Sequence, residues 1–377
     1  MPDQVGKEVY ENLINWYGQT WWELTESDHL WPMIMSYITP EEAEFLTGFP
    51  HRAKKVEELA ELKDRDPEEL RPYLKKLAVR GLLFESIRKE TARYRLNDSF
   101  FAFLRAVYWP GNENEDVKAH ARHINKYFLD GWFDQYKDVH WKGLRAIPIE
   151  KTIEDTRSIM PFEDIVKVIE DREYYSVSFC PCRHRHNLDE ETKNCDHPIE
   201  VCLHFDDLGR YAVNNGQGRE ITREETFTIL KKSADAGLVH GISTWQDKPD
   251  TICNCCNDAC MWFEAYHKLS HGKSLSPSNY KIRINAETCR ACGLCVRRCP
   301  MDALSLKYSE ESTNKLNKAG VVDEDKCIGC GVCAHKCPTD SAILIQNEEI
   351  IESPKNVFEY SQHYMADRMA AKKNAAN

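Results

Sequence analysis

Apolar positions in KKVEELAELKDRDPEELRPYLKKLAVRGLLFES recur at helical spacing. Val56, Leu59 and Leu62 mark one run, and Leu70, Leu74 and Leu77 a second. Asp66, followed by Pro67, Glu68 and Glu69, is a helix start, and Gly81 is a stop. The pattern predicts two helices joined by a tight turn, with a short strand in ARYRLN after them. Upstream, Trp16, Trp21, Trp22 and Trp31 lie among short helical runs such as ITPEEAEFLTGF. From Gly111 to about Thr152 the chain is polar and helical, with aromatics in INKYFLDGWFDQY. MPFEDIVKVIED predicts a helix entered through Pro161, and the alternating YYSVSF predicts a strand that ends at Cys180. Further on, Thr222-x-x-Glu225 is a capping box opening a helix that stops at Gly237.

Helix, turn, helix and a strand-like wing resemble the winged-helix fold, which reads DNA with the start of its second helix in the major groove. Here that start carries Asp66, Glu68 and Glu69, which phosphates repel. Arg71, Lys75, Lys76 and Arg80 lie further along and are equally a solvated face. An interaction module, serving homo- or hetero-oligomer formation, fits better than DNA binding. His120 and His123 have helical spacing but no nearby Cys, so they read as surface or packing residues.

Composition narrows the field. A length of 377 residues suits two or three domains with real cores. The formal charge of −11 argues against nucleic acid as a bulk partner. No stretch approaches the ~18 apolar residues of a membrane span. MPDQVGKEVYENL has neither a basic n-region nor an apolar h-region, so no signal peptide is expected. Sixteen cysteines in that context point to metal or redox use in a reducing compartment rather than to disulfides. The expected location is the cytoplasm.

One cysteine pattern occurs twice. It reads Cys289-x2-Cys292-x2-Cys295-x3-Cys299-Pro300 and then Cys327-x2-Cys330-x2-Cys333-x3-Cys337-Pro338. Three thiolates spaced by two residues wrap one face of an iron–sulfur cube, and Gly293, Gly329 and Gly331 let the backbone turn beneath it. Zinc knuckles use pairs of Cys, not tight quartets ending in Pro. Residues 280 to 347 thus resemble the bacterial two-[4Fe–4S] ferredoxins, in which the fourth Cys of each run ligates the other cluster. The resemblance implies two [4Fe–4S] clusters, one on Cys289, Cys292, Cys295 and Cys337, the other on Cys327, Cys330, Cys333 and Cys299.

Eight further cysteines fall in two groups: Cys180, Cys182, Cys195 and Cys202, then Cys253, Cys255, Cys256 and Cys260. In an extended segment Cys180 and Cys182 project the same way, and on a helix Cys256 and Cys260 share a face. Neither group has the ferredoxin spacing. Each quartet can hold its own cluster, or the two can pool ligands, giving one or two further [4Fe–4S] clusters. Zinc is the alternative, since His184, His186, His197 and His204 widen the ligand choice. The succession CPCR, C-x6-C-L-x-F, GQGREIT, AGLVH and CNCC is similar to a family of iron–sulfur oxidoreductase proteins of anaerobic bacteria and archaea. The likeness runs from about residue 148 to 347. It implies iron–sulfur in the middle region and names no substrate.

Other features are weaker. Asn214-Asn215-Gly216-Gln217-Gly218-Arg219 lacks the third glycine of a dinucleotide loop and the Lys of a P-loop, so it reads as a turn before a helix. Arg183, His184, Arg185 and His186 form either a solvated basic turn or positive charge that raises the potential of a neighbouring cluster. KYSEESTNKLNKAG reads as a surface loop, and VFEYSQHYMADRMA as one helix in a polar tail.

Together these features predict an α+β protein. Its expected parts are a winged-helix-like module (1–110), a cysteine-rich middle domain (111–275), a two-cluster ferredoxin module (276–350) and a tail (351–377). The expected function is iron–sulfur electron transfer to redox partner proteins, as the electron-feeding subunit of a larger enzyme. The rivals are a reductase with its own active-site cluster in the middle domain and a redox-sensing winged-helix regulator.

Overall fold

The computed structural model describes residues 4–20, 22–149, 152–153, 164–269, 271–272, 274–276 and 278–375. Trp21 and the helix entry at residues 160–163 lie outside them. The architecture is mixed α+β, 43% helical and 18% strand. Among the described residues no helix is long and apolar enough to cross a membrane. The chain forms two compact units. The first takes residues 1–136, 176–195 and 207–220; the second takes 137–175, 196–206 and 221–377.

The first unit opens with the helices Gln4–Tyr17, Leu30–Met35 and Pro40–Leu46. Thr39 and Glu42 form a full capping box on the third. The helices Val56–Lys63 and Pro67–Val79 follow, and Asp66 caps the second by accepting from the Glu68 and Glu69 amides. Leu70, Leu74 and Leu77 are buried, as are Val56 and Leu59, but Leu62 is exposed. At Gly81 φ is +74°, and a Cβ there would lie 1.8 Å from that of Ala106, so only glycine closes this turn. The strands Leu83–Arg88 and Thr91–Leu96 pair as a hairpin, and Lys54–Lys55 adds to the second.

Charges on the helix Pro67–Val79 are largely used internally. Lys75 reaches Glu85 at 2.6 Å, Arg71 lies 3.5 Å from Glu57 and Glu68, and Arg80 pairs with the buried Glu42. Aromatic residues fill the rest of this unit's core. Trp22 stacks on Phe100 and Tyr136, and the Trp132 indole donates to the Glu23 carbonyl. Helix Glu115–Tyr127, capped by Asn114, buries His120 against the Tyr108 hydroxyl at 2.7 Å.

In the second unit, strand Val239–Ser243 pairs with Leu144–Ala146 and with Thr251–Cys255, which in turn pairs with Glu200–Phe205. Helix Arg223–Ala236 begins at the Thr222 cap and ends at Gly237, φ +89°. Two antiparallel pairs follow: Tyr280–Ile284 with Ala342–Gln346, and Leu304–Tyr308 with Lys318–Val322. Ile282, Leu304, Ala334 and Leu344 form the apolar core between them.

Candidate iron–sulfur centres

The short helices Leu294–Arg298 and Val332–His335 each start after a glycine and carry the third cysteine of a run. Two cavities result. One is lined by Cys289, Cys292, Cys295 and Cys337, together with Arg290. The other is lined by Cys299, Cys327, Cys330 and Cys333, with apolar Ile282 and Ile328. The fold therefore sets the fourth Cys of each run in the cavity of the other run.

The two cavities differ in exposure. Cys292 is exposed, whereas Cys330 and Cys333 are buried. Burial pushes the Cys330 thiol up to about 12, and Cys333 well above its ordinary value. For Cys337 burial also acts upward, but the Thr339 and Ala342 amides outweigh it and hold that thiol low. Backbone amides also reach sulfur directly, from Ala291 to Cys289 at 3.4 Å and from Ala303 to Cys299 at 3.3 Å. Metal binding would displace the thiol protons that burial otherwise retains. Four convergent thiols per cavity fit an iron–sulfur cube.

The structure distributes the middle cysteines between the two units. In the first unit Cys180 is the residue just before helix Pro181–Leu188, so Cys182 sits in the first helical turn and not on an extended segment. The two thiols are hydrogen-bonded. That contact and burial push Cys180 well up, against the opposing charge of Arg183. Cys195 is buried, and its backbone pairs with the Asn187 amide group.

Arg183, His184, Arg185 and His186 are all buried, so the solvated basic turn is not what forms. The reason is tertiary. Arg185 bonds Asn125 and lies 4.8 Å from the Phe128 ring, while His184 Nδ1 is 3.0 Å from the Tyr108 carbonyl oxygen.

In the second unit Cys202 lies on strand Glu200–Phe205, and Cys253 and Cys255 on Thr251–Cys255. The Cys255 thiol hydrogen-bonds with those of Cys253 and Cys260. Cys256 and Cys260 do not share a helix. Strand pairing runs through Cys255, and the next helix begins only at Met261. His204 sits beside the Thr251 hydroxyl at 3.3 Å, and His197 is partly buried. The loop around Gln217 is structural: its amide donates to the Ala78 and Val79 carbonyls at the end of helix Pro67–Val79.

The eight thiols and the strands beneath them define a ferredoxin-like iron–sulfur module. Residues 288–341 match the family described as the 4Fe-4S dicluster domain. The chain thus binds [4Fe–4S] clusters and has an iron–sulfur electron-transfer role. No curated protein matches the chain.

Proposed function

We propose that this is a multi-cluster electron-transfer protein, the electron-feeding subunit of a larger redox enzyme in a reducing, cytoplasmic setting. Its ferredoxin clusters would be held by Cys289, Cys292, Cys295 and Cys337, and by Cys327, Cys330, Cys333 and Cys299. The observation that carries this reading is the division of the eight thiols into two cavities, one with Cys292 exposed and one with Cys330 and Cys333 buried. Electrons would be exchanged with a partner at the exposed Cys292 edge and passed through the cluster of the second cavity toward centres built from the middle cysteines.

The helices and hairpin within residues 54–96 fit a winged-helix-like module used for protein contact. Ion pairs that engage Arg71, Lys75 and Arg80 weigh against reading DNA, and so against the regulator. A second reading, in which the middle region itself reduces a substrate, draws on the burial of Arg183 to His186 beside Cys180 and Cys182.

The test is metal analysis of protein prepared without oxygen. Two cubanes account for about eight irons, and this reading expects clearly more, with acid-labile sulfide to match. Intact ferredoxin signals with eight irons and stoichiometric zinc would overturn it, leaving an ordinary ferredoxin on a larger scaffold.

A further inference from the structure

Strand register in the second unit brings together cysteines that lie far apart in the chain. Ile252 pairs with Ile242 on one neighbour and Leu203 on the other, and Ile242 pairs with Arg145. One residue along, every side chain turns to the opposite face. The next row therefore runs Ala146, Gly241, Cys253. Carrying the same register one residue back along Glu200–Phe205 sets Cys202 opposite Cys253. Cys255, paired with Val239, shares that face two residues on, and its thiol reaches Cys253 and Cys260.

We propose that Cys202, Cys253, Cys255 and Cys260 form one four-thiolate centre that holds a [4Fe–4S] cluster. This rests on the multi-cluster reading above and assigns its ligands. Chain proximity groups Cys202 with Cys180, Cys182 and Cys195, but the ladder groups it with the later cysteines.

Ala146 and Gly241 continue the row beside Cys253, and a Cβ on Gly241 would lie 3.5 Å from Leu144 Cδ1, 3.8 Å from the Cβ of Cys253 and 3.9 Å from the Cys255 sulfur, so the glycine leaves the recess beside these thiols unfilled. Cys202, Cys255 and Cys260 are buried, as an oxygen-sensitive cluster requires.

The opposite face of the same strand pair carries His240, whose Nδ1 is 2.6 Å from the Asn254 side-chain oxygen.

The experiment uses the full chain prepared without oxygen, with iron, sulfide and zinc counted and each cluster's electron paramagnetic resonance signal followed. Separate Cys202→Ser, Cys253→Ser, Cys255→Ser and Cys260→Ser variants should each lose about four irons and the same signal, with both ferredoxin signals retained. Gly241→Val leaves every thiol in place but fills the recess, and should lose the same signal. The proposal is overturned if Cys202→Ser keeps that signal, if the four Cys variants lose different signals, or if the site carries zinc. Wild-type protein with only the ferredoxin irons would instead remove the multi-cluster reading itself.

Discussion

The two cysteine runs carry an internal control at the residue before their second cysteine. The first run has Ala291 there at φ +54°, the second Gly329 at φ +64°. Both backbones are left-handed, yet only one tolerates a side chain. A Cβ on Gly329 would lie 2.2 Å from the Tyr280 carbonyl oxygen and 2.3 Å from the Ser278 hydroxyl. That hydroxyl is itself held, accepting from the Tyr280 amide at 3.2 Å.

Gly329→Ala should therefore cost about 1–2 kcal/mol for the left-handed backbone and about 1–3 kcal/mol for displacing a packed strand. A total of roughly 2–5 kcal/mol is a large part of a domain's ~5–15 kcal/mol stability. The strain falls on the strand that carries Ile282, which lines the second cavity, so the cluster of Cys299, Cys327, Cys330 and Cys333 should suffer first. Ala291→Gly is the comparison. It relieves backbone strain and adds about 0.4–1 kcal/mol of unfolded-state entropy, so it should be nearly neutral. Anaerobic denaturant unfolding, with spectra resolving the two clusters, reads both variants. The steric argument fails if Gly329→Ala lies within about 0.5 kcal/mol of wild type with both clusters intact, or if Ala291→Gly costs as much.

Two further outcomes are expected. Cys292→Ala should damage the cluster lined by Cys289, Cys295 and Cys337 and spare its neighbour, while Cys299→Ala should damage the cluster of the second run; unchanged spectra in either variant would contradict the crossed ligand sets. His120 is held neutral by burial, and His123 adds to the effect, so its pKa falls from 6.5 to about 3. The unfolded chain binds this proton near 6.5 and the folded chain only near 3, so the stability is fully present above pH 6.5. It should fall by about 1.4 kcal/mol per pH unit below that. His120→Gln should flatten the slope by that amount between pH 6.5 and 5 in urea unfolding followed by tryptophan fluorescence, and an unchanged slope would refute the assignment.

Local chemistry was legible in the chain. Helix ends at Asp66, Gly81, Thr222 and Gly237 are set by side-chain caps and glycine backbones acting within a few residues. The twice-repeated cysteine spacing likewise specifies a ferredoxin-like module without reference to anything distant.

What the chain alone could not show depends on partners far away in sequence. For Arg183 to His186 the chain left a solvated turn and charge beside a cluster equally open, and Asn125, Phe128 and Tyr108, packed on the helix that bears them, remove the first. Leu62 kept helical spacing and still faces water, because the helix Val56–Lys63 buries only part of its surface. Cys256 and Cys260 have the spacing of a helix face, but strand pairing through Cys255 leaves no helix there. The sharpest case is Cys202. Its place in the chain suggested the cysteines just before it, whereas the ladder through Leu203 and Ile252 turns it toward Cys253. Strand register is a tertiary quantity: a shift of one residue reverses every side chain, and only the assembled sheet selects it.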